Sequence, residues 1–227
     1  MEQNVRKRCR DLLKGTVHSL NRGTTQVIAG SGEKAVESAI VKKPVEDTVY
    51  LSRETLEGDE VADTVHHGGP DKAVCVYAKE HFPYWKEKTG KNFEPGSFGE
   101  NITVTGLLED NVCIGDTFEW GEAVVQVSQP RHPCYKLAKR HDIKQLPLFV
   151  QESGYSGFYL RVLKEGQVSK SDPLVFKERV TDTSITAVNR LNFQEADNKK
   201  GLQALAKLPH LAESWRENVE RKLEKLN

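Results

Sequence analysis

Two hydrophobic periods divide this 227-residue chain. Up to about residue 178, apolar positions come in short runs, alternating with polar ones and punctuated by Gly, Asp, Asn and Ser. That is the pattern of strands joined by turns. The runs 15–20 and 36–41 predict the first strands, and the compact apolar run 73–77 a buried one. A helix is expected over 82–88, with Pro83 in its first turn, where a missing N–H costs nothing. Strands follow at 102–105, 111–114, 117–120, 123–128 and 158–163. Gly115-Asp116, Gly121-Glu122 and Glu165-Gly166 supply turns between them. Many short strands at this spacing fold as a barrel or a sandwich.

Beyond residue 179 the period changes to that of helices. Ile185, Val188 and Leu191 share one helical face, as do Leu202 and Leu205. Leu211, Trp215, Val219 and Leu223 are spaced by four. Ser184 and Asn198 are placed to cap the first two helices, and Pro209 to open the third. Three helices this short do not stand alone. They are expected to dock on the strand domain or on a second subunit, which leaves room for a homodimer. The chain thus divides into a basic arm (1–14), a β-rich domain (15–178) and a small three-helix domain (179–227).

Charge narrows the function. Lys+Arg and Asp+Glu both number 33, so the formal net charge is zero, which argues against nucleic-acid or anionic-membrane binding. No apolar run is long enough to span a bilayer, and residues 1–10 are basic without the apolar stretch of a secretory signal. The 4 cysteines (Cys9, Cys75, Cys113, Cys134) contain no CxxC pair, so they read as free thiols of a reducing, cytoplasmic compartment. Residues 30–34 have the outline of a phosphate loop but lack its Gly-Lys-Ser/Thr ending, and read as a hairpin tip.

The strongest chemical signal is Gln129-Pro130-Arg131-His132-Pro133-Cys134-Tyr135-Lys136-Leu137, which follows a strand and precedes a helical pattern reaching about Arg140. Pro133 suits a first helical turn, which puts Cys134 one residue inside a helix N-terminus. There the helix dipole, with Arg131, His132 and Lys136 nearby, favours a thiolate, which is a nucleophile and a soft metal ligand. Cys75 and Cys113 fall within strand runs and read as inert buried thiols, and Cys9 as an exposed bystander. A second segment, His66-His67-Gly68-Gly69-Pro70-Asp71-Lys72, offers a Gly-Gly pair that exposes backbone N–H groups, a lysine suited to phosphate, and His67 as anion donor or proton shuttle. A third, Gly99-Glu100-Asn101, puts an amide at the mouth of a strand. Taken singly, the last two are explained equally well as plain turns.

In order and spacing, these segments resemble the MOSC family, most closely its YiiM-type members. The matching motifs are Leu56-Glu57-Gly58-Asp59-Glu60, His67-Gly68-Gly69-Pro70-Asp71-Lys72-Ala73 and Phe98-Gly99-Glu100-Asn101. They continue with Ile114-Gly115-Asp116, Gln129-Pro130-Arg131, Pro133-Cys134 and, in the tail, Leu211 with Ser214-Trp215. The resemblance runs from about Gly15 to the end, leaves out the arm before Lys14, and does not include His66. It implies a mainly β fold with α, a barrel like that of pyruvate kinase followed by a three-helix unit. It implies a molybdenum cofactor (molybdopterin) whose metal is ligated by the Cys134 sulfur. It also implies reduction of N-hydroxylated compounds, such as 6-hydroxylaminopurine and hydroxylamines, to amine plus water.

On that reading Cys134, His67 and Arg131 are catalytic. Gly68, Gly69, Lys72, Gly99, Glu100, Asn101, Arg131, Lys136 and Arg161 are candidates to hold the phosphorylated, anionic pterin. The sequence carries no iron–sulfur cysteine set and no flavin or nicotinamide fingerprint, so electrons are expected from a separate reductase. Two rival readings use the same residues: a sulfur carrier holding a Cys134 persulfide, and a non-catalytic module that binds the cofactor.

Overall fold

Alternating burial along Lys14–Arg22 makes β1, the strand at which the sheet closes on itself. The computed structural model describes residues 13–28, 35–62 and 68–226. Short strands follow: β2 (Gln26–Ile28), β3 (Val36–Ser38), β4 (Lys43–Val45) and β5 (Val49–Leu51). Next come β6 (Val74–Ala78), helix α1 (Phe82–Thr89), β7 (Ile102–Thr105), β8 (Thr117–Trp120) and β9 (Ala123–Pro130). Helices α2 (Tyr135–His141) and α3 (Leu146–Ser153) precede β10 (Phe158–Lys164), β11 (Gly166–Val168) and β12 (Leu174–Glu178). The chain ends in α4 (Ile185–Phe193), α5 (Lys199–Ala206) and α6 (Glu213–Lys225).

Hydrogen-bonded neighbours run β12-β8-β9-β10-β6-β7-β1, and β1 pairs back to β12, so seven strands close a barrel with β4 added on the outside of β1. A bulge between Val17 and Ser19 bends β1, which therefore serves β12 at its start and β7 and β4 further on. The β6–β7 pair is parallel. A parallel pair needs a crossover, and residues 79–101 supply one that carries α1.

The two-residue period of β6 sorts its side chains between two cores. Val74 and Val76 point into the barrel with Ile102, Val104, Phe118 and Leu160. Tyr77 points outward into a second cluster with Trp85, Phe93, Phe98, Leu137 and Leu146. In that cluster Tyr77 stacks on Phe98 (4.1 Å between ring centres) and its hydroxyl accepts from Trp85 Nε1 at 2.6 Å. Full burial of each large ring contributes about 1.5–3 kcal/mol, enough to pin α1, α2 and α3 to the outer face of β6. The C-terminal helices dock directly on the barrel. Ile185, Val188, Leu202, Leu205, Trp215 and Val219 belong to the same buried cluster as the barrel interior. Among the described residues, no helix is long and apolar enough to cross a membrane.

Several expectations change. The run 111–114 is a turn rather than a strand. Cys113 makes an isolated bridge to Ser184, and the buried Asp116 carboxylate, gripped by Arg179 (Nε–Oδ1 2.7 Å, Nη2–Oδ2 2.6 Å), accepts the Cys113 N–H in place of a neighbouring strand. Strand 36–41 stops at Ser38, since the Ile40 carbonyl is taken by Arg140. Cys134 does not lie inside α2: it is extended (φ −105°, ψ 141°) and serves as the N-cap, with Sγ accepting from Lys136 N at 3.5 Å, so Pro133 stands outside the helix. Ser184 and Asn198 do cap α4 and α5. Pro209 does not open α6, because His210 adopts φ +64° and breaks the chain direction before Glu213. The arm (1–12) and the segment 30–34 lie outside the described residues.

Candidate functional site

The ends of β6, β7, β9 and β10 meet at one rim of the barrel. A strap running from Ser38 to Ala62 lies over that rim and borders a solvent-open cleft of about 90 Å³. The cleft brings Lys72, Gly99, Asn101, Arg131, Cys134 and Lys136 together, so six of the residues singled out from sequence share one wall.

The wall is built from its turns. Glu100 is fully buried, and its carboxylate accepts from Gly96 N (2.6 Å), Phe98 N (2.9 Å) and Thr103 Oγ1 (2.8 Å). Burial raises its pKa, and this carboxyl is spent on the 96–99 turn and does not line the cleft. Gly99 takes φ +78°, and a Cβ there would stand 2.6 Å from Ile40 Cγ1, so only glycine lets the strap close on the turn. Asn101 binds both backbone groups of Cys75: its N–H donates to Cys75 O at 2.8 Å, and its Oδ1 accepts from Cys75 N at 2.9 Å. Its Nδ2 then donates to Asp59 Oδ2 at 2.7 Å.

Asp59 latches the strap. It is buried against Lys42 (Nζ–Oδ1 2.5 Å, Nζ–Oδ2 2.6 Å) and also accepts from Gly23 N at 2.8 Å. With four hydrogen bonds from three donors on two oxygens, its carboxylate is saturated and holds its neighbours in place.

Arg131 follows β9, and its backbone N–H donates to Gly157 O at 3.0 Å. Its side chain is buried in the cleft wall, and among the described residues Nη1 has no hydrogen-bond partner. Burial works against its charge, but Cys75, Tyr159, Cys134 and Glu100 outweigh it, and the pKa of Arg131 stands above the ordinary arginine value. A buried guanidinium with an open N–H is costly unless an acceptor fills the position. Burial pushes the Cys75 thiol up to about 11 and drives the Tyr159 phenol well above its usual range, so both keep their protons at the cleft wall. Cys134 is half-buried and lines the same cleft.

Four of the residues chosen from sequence stand elsewhere. Arg161 is engaged by Asp71 (Nε–Oδ1 2.7 Å) and Gln126 (Nη1–Oε1 3.2 Å), on the barrel side of the Pro70–Lys72 turn. Glu100 is turned inward, as above. Gly68 and Gly69 precede the turn, and Gly69 (φ +96°) supplies the carbonyl that accepts Lys72 N at 2.9 Å. The described wall is formed without these four. His67 and His66 lie outside the described residues.

Lys42, Asp59, Cys75 and Tyr159 were missed as site residues. Asp59 sat inside a motif quoted for the family, a signal that pointed to it. Cys75 read as an inert strand cysteine, which describes its thiol correctly but not its position. Lys42 and Tyr159 carry no local signal, because only the closing of the strap and of β10 brings them to the cleft.

Comparison with known proteins agrees with this architecture. The MOSC domain model matches residues 63–175, and the YiiM-like 3-alpha helix domain model matches residues 184–226. YflK of Bacillus subtilis is 48% identical over 212 residues, covering 93% of this chain and 96% of its own length. The crystal structure of YiiM from Geobacillus stearothermophilus superposes with a TM-score of 0.78 at 41% identity, over 92% of this chain and 99% of that one. A Gibberella moniliformis protein named reductase is 35% identical over 185 residues, or 74% of this chain, which spans only 33% of that protein. With a closed barrel bearing the cleft, three helices docked behind it, and these matches along nearly its whole length, the chain belongs to the MOSC family, in the group that carries a YiiM-like three-helix domain.

Proposed function

We propose that this protein is a molybdenum-cofactor-dependent reductase that converts N-hydroxylated compounds, such as 6-hydroxylaminopurine and hydroxylamines, to amine plus water. The observation that carries the reading is the buried, open Nη1 of Arg131 in the same cleft as the Cys134 thiol. Lys72, Lys136 and Arg131 line a cleft whose buried carboxylate, Asp59, is already saturated by Lys42, Gly23 N and Asn101 Nδ2. That charge arrangement suits an anionic, phosphate-bearing pterin. MOSC domains are associated with that cofactor.

Cys134 is the proposed molybdenum ligand. Among the described residues no three His, Cys, Asp or Glu side chains converge, so one soft thiolate suits a metal whose other ligands arrive with its cofactor. When bound, the cofactor supplies two-electron redox chemistry at an N-bound oxygen. Arg131 Nη1, buried in the cleft wall, orients an oxyanion or the pterin phosphate. The Tyr159 hydroxyl and the Cys75 thiol hold protons beside it, and His67 is proposed as a proton source for the departing oxygen. Asn101 fixes the wall through Cys75 and Asp59. Electrons are proposed to come from a separate reductase acting in the cytoplasm. The fungal relative named reductase, three times the length matched here, is consistent with this chemistry.

The test measures molybdenum and pterin content, with 6-hydroxylaminopurine reduction, in wild type and Cys134→Ala expressed where the cofactor is made. About one molybdenum per chain, lost together with turnover in the variant, is the expected result. Metal retained unchanged in the variant overturns the ligand assignment.

A further inference from the structure

The helix α6 begins without a cap of its own. Its N-cap residue is Ala212, which has no side-chain acceptor for the first N–H groups of the helix. The barrel supplies one instead: Asp71 Oδ2 accepts from Glu213 N at 3.3 Å. The other oxygen of Asp71 is held by Arg161 Nε at 2.7 Å, and its backbone carbonyl accepts from Ser128 Oγ at 2.6 Å. Ser128 in turn offers its own carbonyl to Ala212 N at 3.0 Å. The junction therefore ties together three parts of the chain: the Pro70–Lys72 turn, the end of β9, and the start of α6. The residue after Asp71 is Lys72, and three residues after Ser128 comes Arg131; both line the cleft.

We propose that Asp71 is a positioning residue through which the C-terminal helices hold the anion-binding wall, with Lys72 and Arg131 kept at their stations by this shared cap. The three-helix unit is thus part of the site's framework. Arg161, chosen from sequence as a direct cofactor contact, acts one step back by fixing the Asp71 carboxylate. The proposal rests on the reading of the cleft as the site of an anionic, phosphate-bearing ligand.

A single substitution isolates the link. Glu213→Pro removes the N–H that Asp71 accepts together with the exposed carboxylate that pairs with Arg216. Proline is favoured at a first helical position, and Ala212, at φ −56° and ψ 142°, already has the extended backbone that a residue before proline requires. Glu213→Ala keeps the N–H and removes the exposed carboxylate. Calorimetric titration of the full-length protein with inorganic pyrophosphate reads the wall directly, without turnover. Glu213→Pro and Asp71→Ala are expected to weaken pyrophosphate binding about five-fold, the scale of one hydrogen bond. Glu213→Pro keeps the wild-type melting temperature, and Glu213→Ala keeps wild-type affinity. Asp71→Asn, which retains an acceptor for Glu213 N, recovers part of the loss. The double variant Asp71→Ala/Glu213→Pro binds no worse than Asp71→Ala alone, because both remove the same link. Wild-type affinity in Glu213→Pro overturns the positioning role while leaving the anion site intact. Absence of pyrophosphate binding in the wild type overturns the anion-site reading, and this proposal with it.

Discussion

His141 makes stability and the shape of the cleft wall depend on pH together. It lies at the end of α2, packed on Phe93 (4.9 Å between ring centres), and its Nε2 donates to Ser97 O at 2.7 Å. Ser97 belongs to the turn that carries Gly99 into the cleft. Burial pushes the His141 pKa down to about 4; Arg140 and Lys91 add to the shift, and the Ser97 hydrogen bond opposes it. The unfolded chain takes up a proton near the ordinary histidine value of about 6.5, while the folded protein waits until about 4. Stability from this group is therefore complete above about pH 6.5 and is lost as the pH falls from there toward 4. At pH 5 the unfolded state gains about 2 kcal/mol from protonation and the folded state almost nothing. Against a typical total of about 5–15 kcal/mol, that loss is easily measured. The assay is urea unfolding followed by tryptophan fluorescence at pH 7.5 and pH 5, for wild type and His141→Gln. Glutamine can still donate to Ser97 O but does not titrate, and the other acidic and histidine groups cancel in the comparison. Wild type is expected to lose about 2 kcal/mol more than the variant between the two pH values. Equal losses would refute the argument that His141 is held neutral by its burial.

Two further outcomes follow from the cleft. Lys42→Met leaves the buried Asp59 carboxylate without its ion partner and is expected to cost about 3–5 kcal/mol in thermal unfolding. Adding Asp59→Asn recovers part of that, because a neutral amide no longer needs the ammonium; no recovery would show that Lys42 acts through packing alone. Treatment with iodoacetamide at pH 8, read by peptide mass spectrometry, is expected to label Cys134 ahead of Cys75. The Cys75 thiol, held at about 11, is only about one part in a thousand thiolate at that pH and is buried. Equal labelling of the two would contradict the assignment of Cys75 as a protonated wall residue.

Local pattern was most legible where an element's partners are dictated by its own periodicity. Ile102–Thr105 and Thr117–Trp120 were readable to the residue because their alternation faces a single core. Leu174–Glu178 was not recognised: Leu174 is buried, Val175 is 43% exposed and Phe176 is half-buried, but in residue type the segment is an unbroken apolar run followed by two charges, so that alternation does not show in the sequence. What makes that segment a strand is its pairing with β8 and β1, which are remote in sequence. Leu146–Ser153 was missed as well, since only Leu146 and Val150 are buried and their partners come from α1 and β6.

The same division holds for the site. By itself the sequence determined the residue types that can do chemistry, the turns that must carry glycine, the helical tail, and the family to which the ordered motifs belong. These are properties of short segments, in which spacing, backbone freedom and charge act locally. The tertiary structure decided which of those residues share a wall. Cys134, Arg131, Lys72 and Lys136 came together, while Arg161 and Glu100 were drawn into holding turns. Lys42, Asp59 and Tyr159 joined the cleft only because a strap and a closing strand crossed it. The reason is physical: a buried charge takes whichever partner the closed barrel brings within hydrogen-bond reach, and that partner is set by long-range packing.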